Sequence, residues 1–405
     1  MRSIRSSRVA LDELRPATIT VSDGVIVEIG DGPADDDFGD LVILPGLVDC
    51  HVHVNEPGRT EWEGFHTATR AALAGGTTTI VDMPLNSIPP TVTVEALEEK
   101  RAAARDQIGC DVGFWGGIVP GSSDQVESLE KAGVCGFKVF MTDSGVPEFP
   151  PIDDPPALGG LDTPLLVHAE EPDFLRDPVD GSYPAYLASR PPGAEAAAIE
   201  RLHRVPGPVH VLHVSSEEAV DAIVRGPSTM SAETCPHYLT FTTDDVGEGA
   251  TQFKCAPPIR ARHHREALWD ALKNGVITMV VSDHSPSLPE MKEGDFATAW
   301  GGISSVQLRL AATWTAASER GFEMLDLARW LALEPARLSG LEDLKGSTAV
   351  GKDADFVVFD PDATTYVRAS ELLHRHPLTP YDGMTLRGRV VDTMLGRPAR
   401  MLARK

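Results

Sequence analysis

Two histidines, His51 and His53, flank one valine in the segment PGLVDCHVHVNEP. Side chains two positions apart on an extended strand point to the same side, so this pair could offer two imidazole nitrogens to one metal ion. A coincidental pair on the surface would give the same pattern. The H-x-H motif therefore indicates a metal site only if other ligands accompany it.

Four further residues of metal-binding type lie in or at the ends of apolar segments. Lys138 lies in GFKVF, His168 ends PLLVH, His213 ends VHVLH, and Asp283 ends ITMVVSD. Taken singly, each has an ordinary explanation, such as a hydrogen-bonded core histidine or an aspartate that caps a helix. Together with the H-x-H pair they predict one metal centre, with Asp283 as both ligand and catalytic residue.

Lys138 needs a separate argument because a buried ammonium costs several kcal/mol, so burial favours the neutral amine. A neutral amine beside metal cations can add CO₂ and form a carbamate, whose two oxygens could bridge two Zn²⁺ ions or other divalent metals. The carbamate, Asp283 and a bridging hydroxide would leave a small positive charge that polarises a carbonyl. A lysine paired with a carboxylate is the alternative, but it leaves the second metal short of ligands.

The elements that must position these residues are eight apolar segments, most of them separated by helical stretches such as residues 93–107. Near-continuous apolar runs joined by helices favour parallel strands that are covered on both faces. A doubly wound open sheet would show the same alternation. Placement of the candidate ligands at strand ends favours a (β/α)₈ TIM-like barrel. The predicted strands are 45–51, 77–84, 110–118, 136–140, 164–170, 209–216, 229–237 and 277–284.

Both chain ends are rich in β-strand patterns. Residues 18–30 alternate apolar and polar side chains around a Ser-Asp-Gly turn, which predicts a hairpin. Residues 346–370 look like another hairpin, and 383–400 contain a further strand. We therefore predict an α/β protein in three parts. Residues 1–44 and 346–405 form one small β-sandwich, and residues 45–345 form the catalytic barrel.

Composition limits the partners. Lys and Arg total 36 against 60 Asp and Glu, a formal charge of −24, which repels nucleic acid and anionic membranes. No segment approaches the roughly 18 apolar residues of a membrane span. The five cysteines include no C-x-x-C pair, so a reducing cytoplasm is expected and a disulfide framework is not.

The segments that contain these residues resemble those of the amidohydrolase superfamily. The resemblance is to its cyclic-amidase branch of allantoinases, hydantoinases, dihydropyrimidinases and dihydroorotases, and the motifs are most similar to the allantoinase versions. It runs nearly from end to end. The segments that carry it are 45–65, 136–151, 165–170, 212–216, 232–239, 254–260, 281–286, 299–303 and 351–360.

The resemblance implies a ligand assignment and a mechanism. Residues matching His51, His53 and Asp283 hold the first metal, those matching His168 and His213 hold the second, and the one matching Lys138 bridges both as a carbamate. A hydroxide shared by the metals would attack the ring amide, and Asp283 would pass its proton to the departing nitrogen. Relatives are commonly tetramers.

Substrate choice depends on weaker signals. Dihydroorotases carry an Arg two positions after the H-x-H, where this chain has Asn55, which suits a neutral cyclic ureide. Hydantoinases typically have a Tyr shortly after the bridging lysine, and this chain has none in MTDSGVPEFP, as in allantoinases. We therefore expect ring opening of (S)-allantoin to allantoate. The alternatives are a hydantoinase or dihydropyrimidinase of other specificity, and a scaffold without catalysis.

Several residues near these motifs are candidates for the pocket or its surroundings. His210 is expected to point away from His213 and to be structural, while His237 and His284 lie beside site motifs and could support the ligands. The candidate substrate contacts are Asn55, Asn86, Asp143, Ser144, Cys255, Ser285 and Trp300.

Overall fold

A computed structural model describes residues 1–158 and 163–404. Its strands are β1 Arg2–Ala10, β2 Leu14–Ser22, β3 Val25–Gly30, β4 Asp36–Asp37, β5 Val42–Pro45, β6 Leu47–Val52, β7 Thr77–Asp82, β8 Asp111–Phe114, β9 Gly116–Gly117, β10 Phe137–Phe140, β11 Leu165–His168, β12 Val209–Val211, β13 Met230–Thr234, β14 Met279–Val280, β15 Phe356–Tyr366 and β16 Thr385–Met394. Its α-helices are α1 Phe65–Ala74, α2 Val94–Ala104, α3 Val126–Lys131, α4 Tyr183–Ser189, α5 Pro192–Leu202, α6 Glu217–Arg225, α7 Pro236–Thr240, α8 Arg262–Lys273, α9 Arg309–Ser318, α10 Met324–Ala328 and α11 Glu334–Leu338.

The central strands form a closed parallel barrel. Strands β6, β7 and β8 pair in parallel, and β9 to β14 continue the same order. Strands β8 and β9 are consecutive pieces of one strand interrupted at residue 115. A parallel bridge between Val52 and His284 joins the last strand back to the first. The eight predicted strands are thus confirmed, and the closing bridge excludes the open sheet.

Local sequence explains why strands and helices alternate. The barrel strands are short runs rich in β-branched residues, such as TTTIVD in β7, and every residue of that strand is buried. Some helices begin at residues whose side chain accepts a hydrogen bond from the first turn, as Thr93 does for α2 and Ser216 for α6. Each strand therefore ends in a loop at the same rim before its helix begins.

The chain termini meet in one seven-stranded mixed sheet, ordered β16-β15-β5-β1-β2-β3 with β4 beside β1. The hairpin predicted for residues 18–30 is confirmed as β2 and β3, and Asp23 and Gly24 at its turn both have positive φ. The hairpin predicted within 346–370 is wrong. Residues 356–366 form a single strand that pairs with β16, because the turn lies after residue 366.

A buried ion cluster links this terminal sheet to the barrel. The Lys345 ammonium lies 2.6 Å from the Asp111 carboxylate of β8 and 2.9 and 2.5 Å from those of Asp353 and Asp355, just before β15. All four side chains are almost fully buried. The cluster therefore ties two parts of the chain that are far apart in sequence.

Candidate metal centre and substrate cavity

The predicted ligands all converge at one rim of the barrel. His51 lies on β6, Lys138 on β10 and His168 at the end of β11. His213 and Asp283 follow β12 and β14 in the left-handed backbone region, with φ of 37° and 42°. This region is uncommon for residues other than glycine, and such strain is often found at functional sites. It turns both side chains inward just beyond the regular strand.

Distances among the six side chains are those of a compact donor cluster. Asp283 Oδ1 lies 3.2 Å from His51 Nε2 and 3.8 Å from His53 Nε2. Lys138 Nζ lies 3.3 Å from His51 Nε2. On the other side, His168 Nδ1 and His213 Nε2 are 3.0 Å apart. Donor atoms of His51, His213 and Asp283 lie within 4.8 Å of one another, close enough to surround a cation.

Three of the four imidazoles have a neighbour on the nitrogen that faces away from the cluster. His51 Nδ1 lies 2.5 Å from Glu233 Oε1, and His168 Nε2 lies 2.7 Å from Glu170 Oε2. His53 Nδ1 is 3.4 Å from the Asn86 amide nitrogen. The two carboxylates, Glu233 and Glu170, are acceptors that orient these imidazoles and select the tautomer with an unprotonated inner nitrogen. The inner nitrogens of His51 and His168 are therefore available to a cation.

Glu233, on β13, was missed by the sequence reasoning. Its second oxygen lies 3.1 Å from His210 Nε2, so one buried carboxylate joins His210 to His51. The expectation that His210 points away from the site is therefore wrong, since the left-handed backbone at His213 ends the regular alternation of β12. An ionisable residue inside a predicted strand was the available signal, as it had been for Lys138.

Burial sets the protonation of the cluster. It lowers the pKa of all four imidazoles, and nearby positive charge, including the Lys138 ammonium, lowers those pKa values further. Burial also lowers the pKa of Lys138 to about 8 and raises that of Asp283 to about 7. Neutral imidazoles and an amine that is readily deprotonated are the forms that bind metals.

A cavity of about 350 Å³ opens above the cluster. His51, His53, Lys138, His168, His213 and Asp283 form its floor, and six of the seven candidate substrate contacts line it: Asn86, Asp143, Ser144, Cys255, Ser285 and Trp300. Asn55 is not among the lining residues of the described chain. It is buried behind them and donates to the Pro286 carbonyl at 3.2 Å.

His237 and His284 lie outside the cavity wall but close to Asp283. His237 is fully buried, and burial lowers its pKa to about 3. One of its nitrogens lies within 4.8 Å of Asp283 and Cys235. His284 Nδ1 accepts from the Ser305 amide at 3.1 Å, and its backbone carbonyl accepts from the His53 amide at 2.8 Å. His284 therefore holds the loop after β6 in place.

The cluster has the chemistry of a metal-assisted hydrolase. It combines imidazole and carboxylate donors, a buried amine and a polar cavity at the rim where barrel enzymes carry their active sites. The chain belongs to the amidohydrolase family, whose model matches residues 42–151 and 197–396. This family membership and the donor cluster together indicate a divalent metal site.

The chain is similar to the allantoinase of Streptomyces avermitilis, with 48% identity over 99% of this chain and 95% of that protein. It is 46% identical to the allantoinase of Saccharomyces cerevisiae over 87% of this chain and 81% of that one. Among solved structures it resembles the L-hydantoinase (dihydropyrimidinase) of Arthrobacter aurescens. The TM-score is 0.90 and the identity 29%, and the match covers 100% of this chain and 98% of that one.

In the described part of the chain, every helix is too short or too polar to cross a bilayer. All five cysteines are free and buried.

Proposed function

We propose that this chain is an allantoinase that hydrolyses the ring of (S)-allantoin to allantoate at a centre of two divalent metal ions. The choice of reaction is supported by the convergence of four histidines, Lys138 and Asp283 at one barrel rim. The choice of allantoin is supported by the similarity to named allantoinases over most of the chain.

The donor set fits two ions, with Zn²⁺ as the default. His51, His53 and Asp283 would hold one, and His168 and His213 the other. Lys138 lies 3.3 Å from His51 Nε2 and, as a carbamate formed with CO₂, would supply an oxygen to each. When bound, such ions lower the pKa of a coordinated water to roughly 7 and polarise a carbonyl. Zn²⁺ is a proposal, since the same ligands suit Co²⁺ or Mn²⁺.

Asp283 is the proposed proton carrier. Its carboxylate can serve as base and then as acid because the two proton transfers are sequential, and burial raises the pKa of the carboxyl. Its Oδ1 lies between His51 and His53, so the carboxylate also faces the reacting centre. In the proposed reaction it takes a proton from the attacking water and gives it to the departing ring nitrogen.

The rest of the site keeps these groups oriented. Phe140 stacks on the His168 ring, with centroids 4.5 Å apart and planes 13° apart. Arg190 donates to both oxygens of Glu170, at 3.0 and 2.5 Å, and Glu170 in turn contacts His168. A ligand held by a chain of buried partners loses little freedom when a metal binds.

A substrate panel tests the proposal. The enzyme reconstituted with Zn²⁺, Co²⁺ or Mn²⁺ and bicarbonate should open allantoin faster than hydantoin or dihydrouracil, and Asp283→Asn should abolish turnover while the fold persists. Faster opening of dihydrouracil would make the chain a dihydropyrimidinase instead. Protein that retains no divalent metal and opens none of the three rings would favour a non-catalytic scaffold.

We also propose a reducing compartment, the cytoplasm, which the five free cysteines favour. A homotetramer is expected from the family resemblance, and sedimentation at assay concentration would test it. The proposed partner is a small cyclic ureide, because the formal charge of −24 disfavours nucleic acid and anionic membranes.

A further inference from the structure

One wall of the cavity is held by two buried lysines, Lys254 and Lys292. Each has about 8% of its surface exposed. In the part of the chain that the structure describes, their ammonium groups bond only to backbone carbonyls and contact no carboxylate. Because a buried ammonium without an anion is costly, this arrangement is unusual for a purely structural wall.

Lys292 fixes the backbone around Lys254. Its Nζ donates to the Gly302 carbonyl at 2.6 Å and lies 3.4 Å from the Lys254 carbonyl. The Lys254 carbonyl also accepts from the Gly302 amide at 2.8 Å. The peptide of Lys254 is therefore fastened to the segment 297–302, which supplies Trp300 and its neighbours to the cavity.

Lys254 itself lines the cavity and has a hydrogen-bond donor to spare. Its Nζ donates to the Ala299 carbonyl at 2.5 Å and more weakly to Ala297 at 3.4 Å, while an ammonium has three donors. It lies 5.0 Å from the centroid of the Tyr186 ring, which also lines the cavity. Burial lowers the pKa of Lys254 to about 8, which is consistent with its desolvated position.

Another cation that lines the cavity, the partly buried Arg190, is already paired. Arg190 is bound to Glu170 through two hydrogen bonds, so its charge is neutralised within the protein. Lys254 therefore remains as a buried donor on the wall, apart from the metal-binding floor, that can bond to a polar group of a bound molecule.

We propose that Lys254 donates a hydrogen bond to the carbonyl oxygen of the acyclic ureido arm of the substrate. This inference rests on the proposed function, because allantoin differs from unsubstituted hydantoin by such an arm. The ring amide must lie over the floor of His51, Lys138 and Asp283 to react, and the arm then occupies another part of the same cavity, which Lys254 also lines. A neutral urea carbonyl is a good acceptor for an ammonium that has no anion beside it.

The test compares two substrates that differ by the arm. Metal-loaded wild type, Lys254→Met and Lys254→Gln are assayed with allantoin and with hydantoin. Loss of a charged hydrogen bond predicts that Lys254→Met lowers kcat/KM for allantoin by about 10- to 100-fold. The loss with hydantoin should be at least about tenfold smaller than that. Lys254→Gln keeps a donor and should recover part of the loss.

The matched control is Lys352→Met. Lys352 is a partly buried lysine whose ammonium donates to a backbone carbonyl, that of Lys345 at 3.0 Å, and among the described residues it is not part of the cavity lining. Its substitution should leave both substrates unaffected. Equal losses with both substrates in Lys254→Met, or no loss at all, would overturn the assignment. Failure of the wild type to open allantoin would instead refute the proposed function, and this inference with it.

If Lys254→Met is obtained with less than the wild-type metal content, Lys254→Gln decides. A folded, metal-loaded Lys254→Gln enzyme whose kcat/KM falls more for allantoin than for hydantoin supports the assignment, and unchanged kcat/KM for both substrates overturns it. An equal drop in the rates with both substrates would show that Lys254 only supports the cavity wall, and it would overturn the assignment.

Discussion

Substitution of Glu233 tests how far the outer partners control the metal centre. Glu233 is fully buried, and its carboxylate accepts from His51 at 2.5 Å and from His210 at 3.1 Å. Glu233→Gln keeps the volume and one carbonyl acceptor but removes the negative charge. His210 can adapt to the new amide by switching its tautomer, because its Nδ1 lies 2.8 Å from the Ser231 hydroxyl, which can accept as well as donate.

The expected magnitude follows from those contacts. Loss of a charged outer partner on a metal-binding histidine typically weakens metal affinity by about 10- to 100-fold, or roughly 1.4–2.7 kcal/mol. Glu233→Ala should destabilise the protein more than Glu233→Gln, since it leaves two buried N–H groups without acceptors, each costing about 1–3 kcal/mol. Glu233→Gln should therefore fold and bind metal weakly, whereas Glu233→Ala should also lose thermal stability.

Chelator competition at fixed free Zn²⁺, followed by metal analysis, measures the two affinities directly. Ser231→Ala is the matched control, because it removes a partner of His210 and leaves the contact between His51 and Glu233 intact. It should change the affinity less than about threefold. Unaltered affinity in Glu233→Gln would refute the argument that this carboxylate orients His51 for metal.

Three further predictions concern lysines. Lys138→Ala should abolish loading of two metals and activity together, with partial rescue by a short-chain carboxylate; full activity would exclude a bridging role. Because burial lowers the pKa of Lys292 to about 7, the folded state binds fewer protons than the unfolded state between pH 7 and the ordinary lysine pKa of about 10.4. The unfolding free energy of the wild type, measured relative to that of Lys292→Met in urea titrations at pH 7 to 9, should thus rise with pH by at most about 1.4 kcal/mol per pH unit. A difference between the two proteins that does not change with pH would contradict this prediction. Lys345→Met should cost about 3–5 kcal/mol in unfolding free energy, because three carboxylates would lose their shared cation. The folded Lys345→Met enzyme should keep its specific activity. Substitution of the exposed Lys131, which pairs with Glu127 at the surface, should lower the unfolding free energy much less. Similar losses of unfolding free energy in the two variants would contradict a special contribution of the buried cluster.

Local patterns were sufficient for the parts of the fold that depend on one segment. Alternation around a Ser-Asp-Gly turn predicts the hairpin of β2 and β3, because a turn of this kind needs positive φ at Asp23 and Gly24. Eight apolar segments predict the barrel strands because each must bury both faces. The long β15 was misjudged as a hairpin, since its bulges leave polar residues in the strand interior that resemble a turn.

The composition of the donor cluster was also predictable from sequence, because several metal-binding side chains lie together in or at the ends of apolar segments, as Lys138 and His213 do. Only the tertiary structure decided which buried side chain or carbonyl each of these residues contacts. The contact of Glu233 with His51 spans 182 positions of the chain, and the Lys254 ammonium bonds to carbonyls 43 and 45 residues away. Asn55 donates to the Pro286 carbonyl and is not among the cavity-lining residues of the described chain. These contacts depend on the closure of the barrel and on the left-handed backbone at the strand ends, which bring distant side chains together in directions that no local pattern specifies.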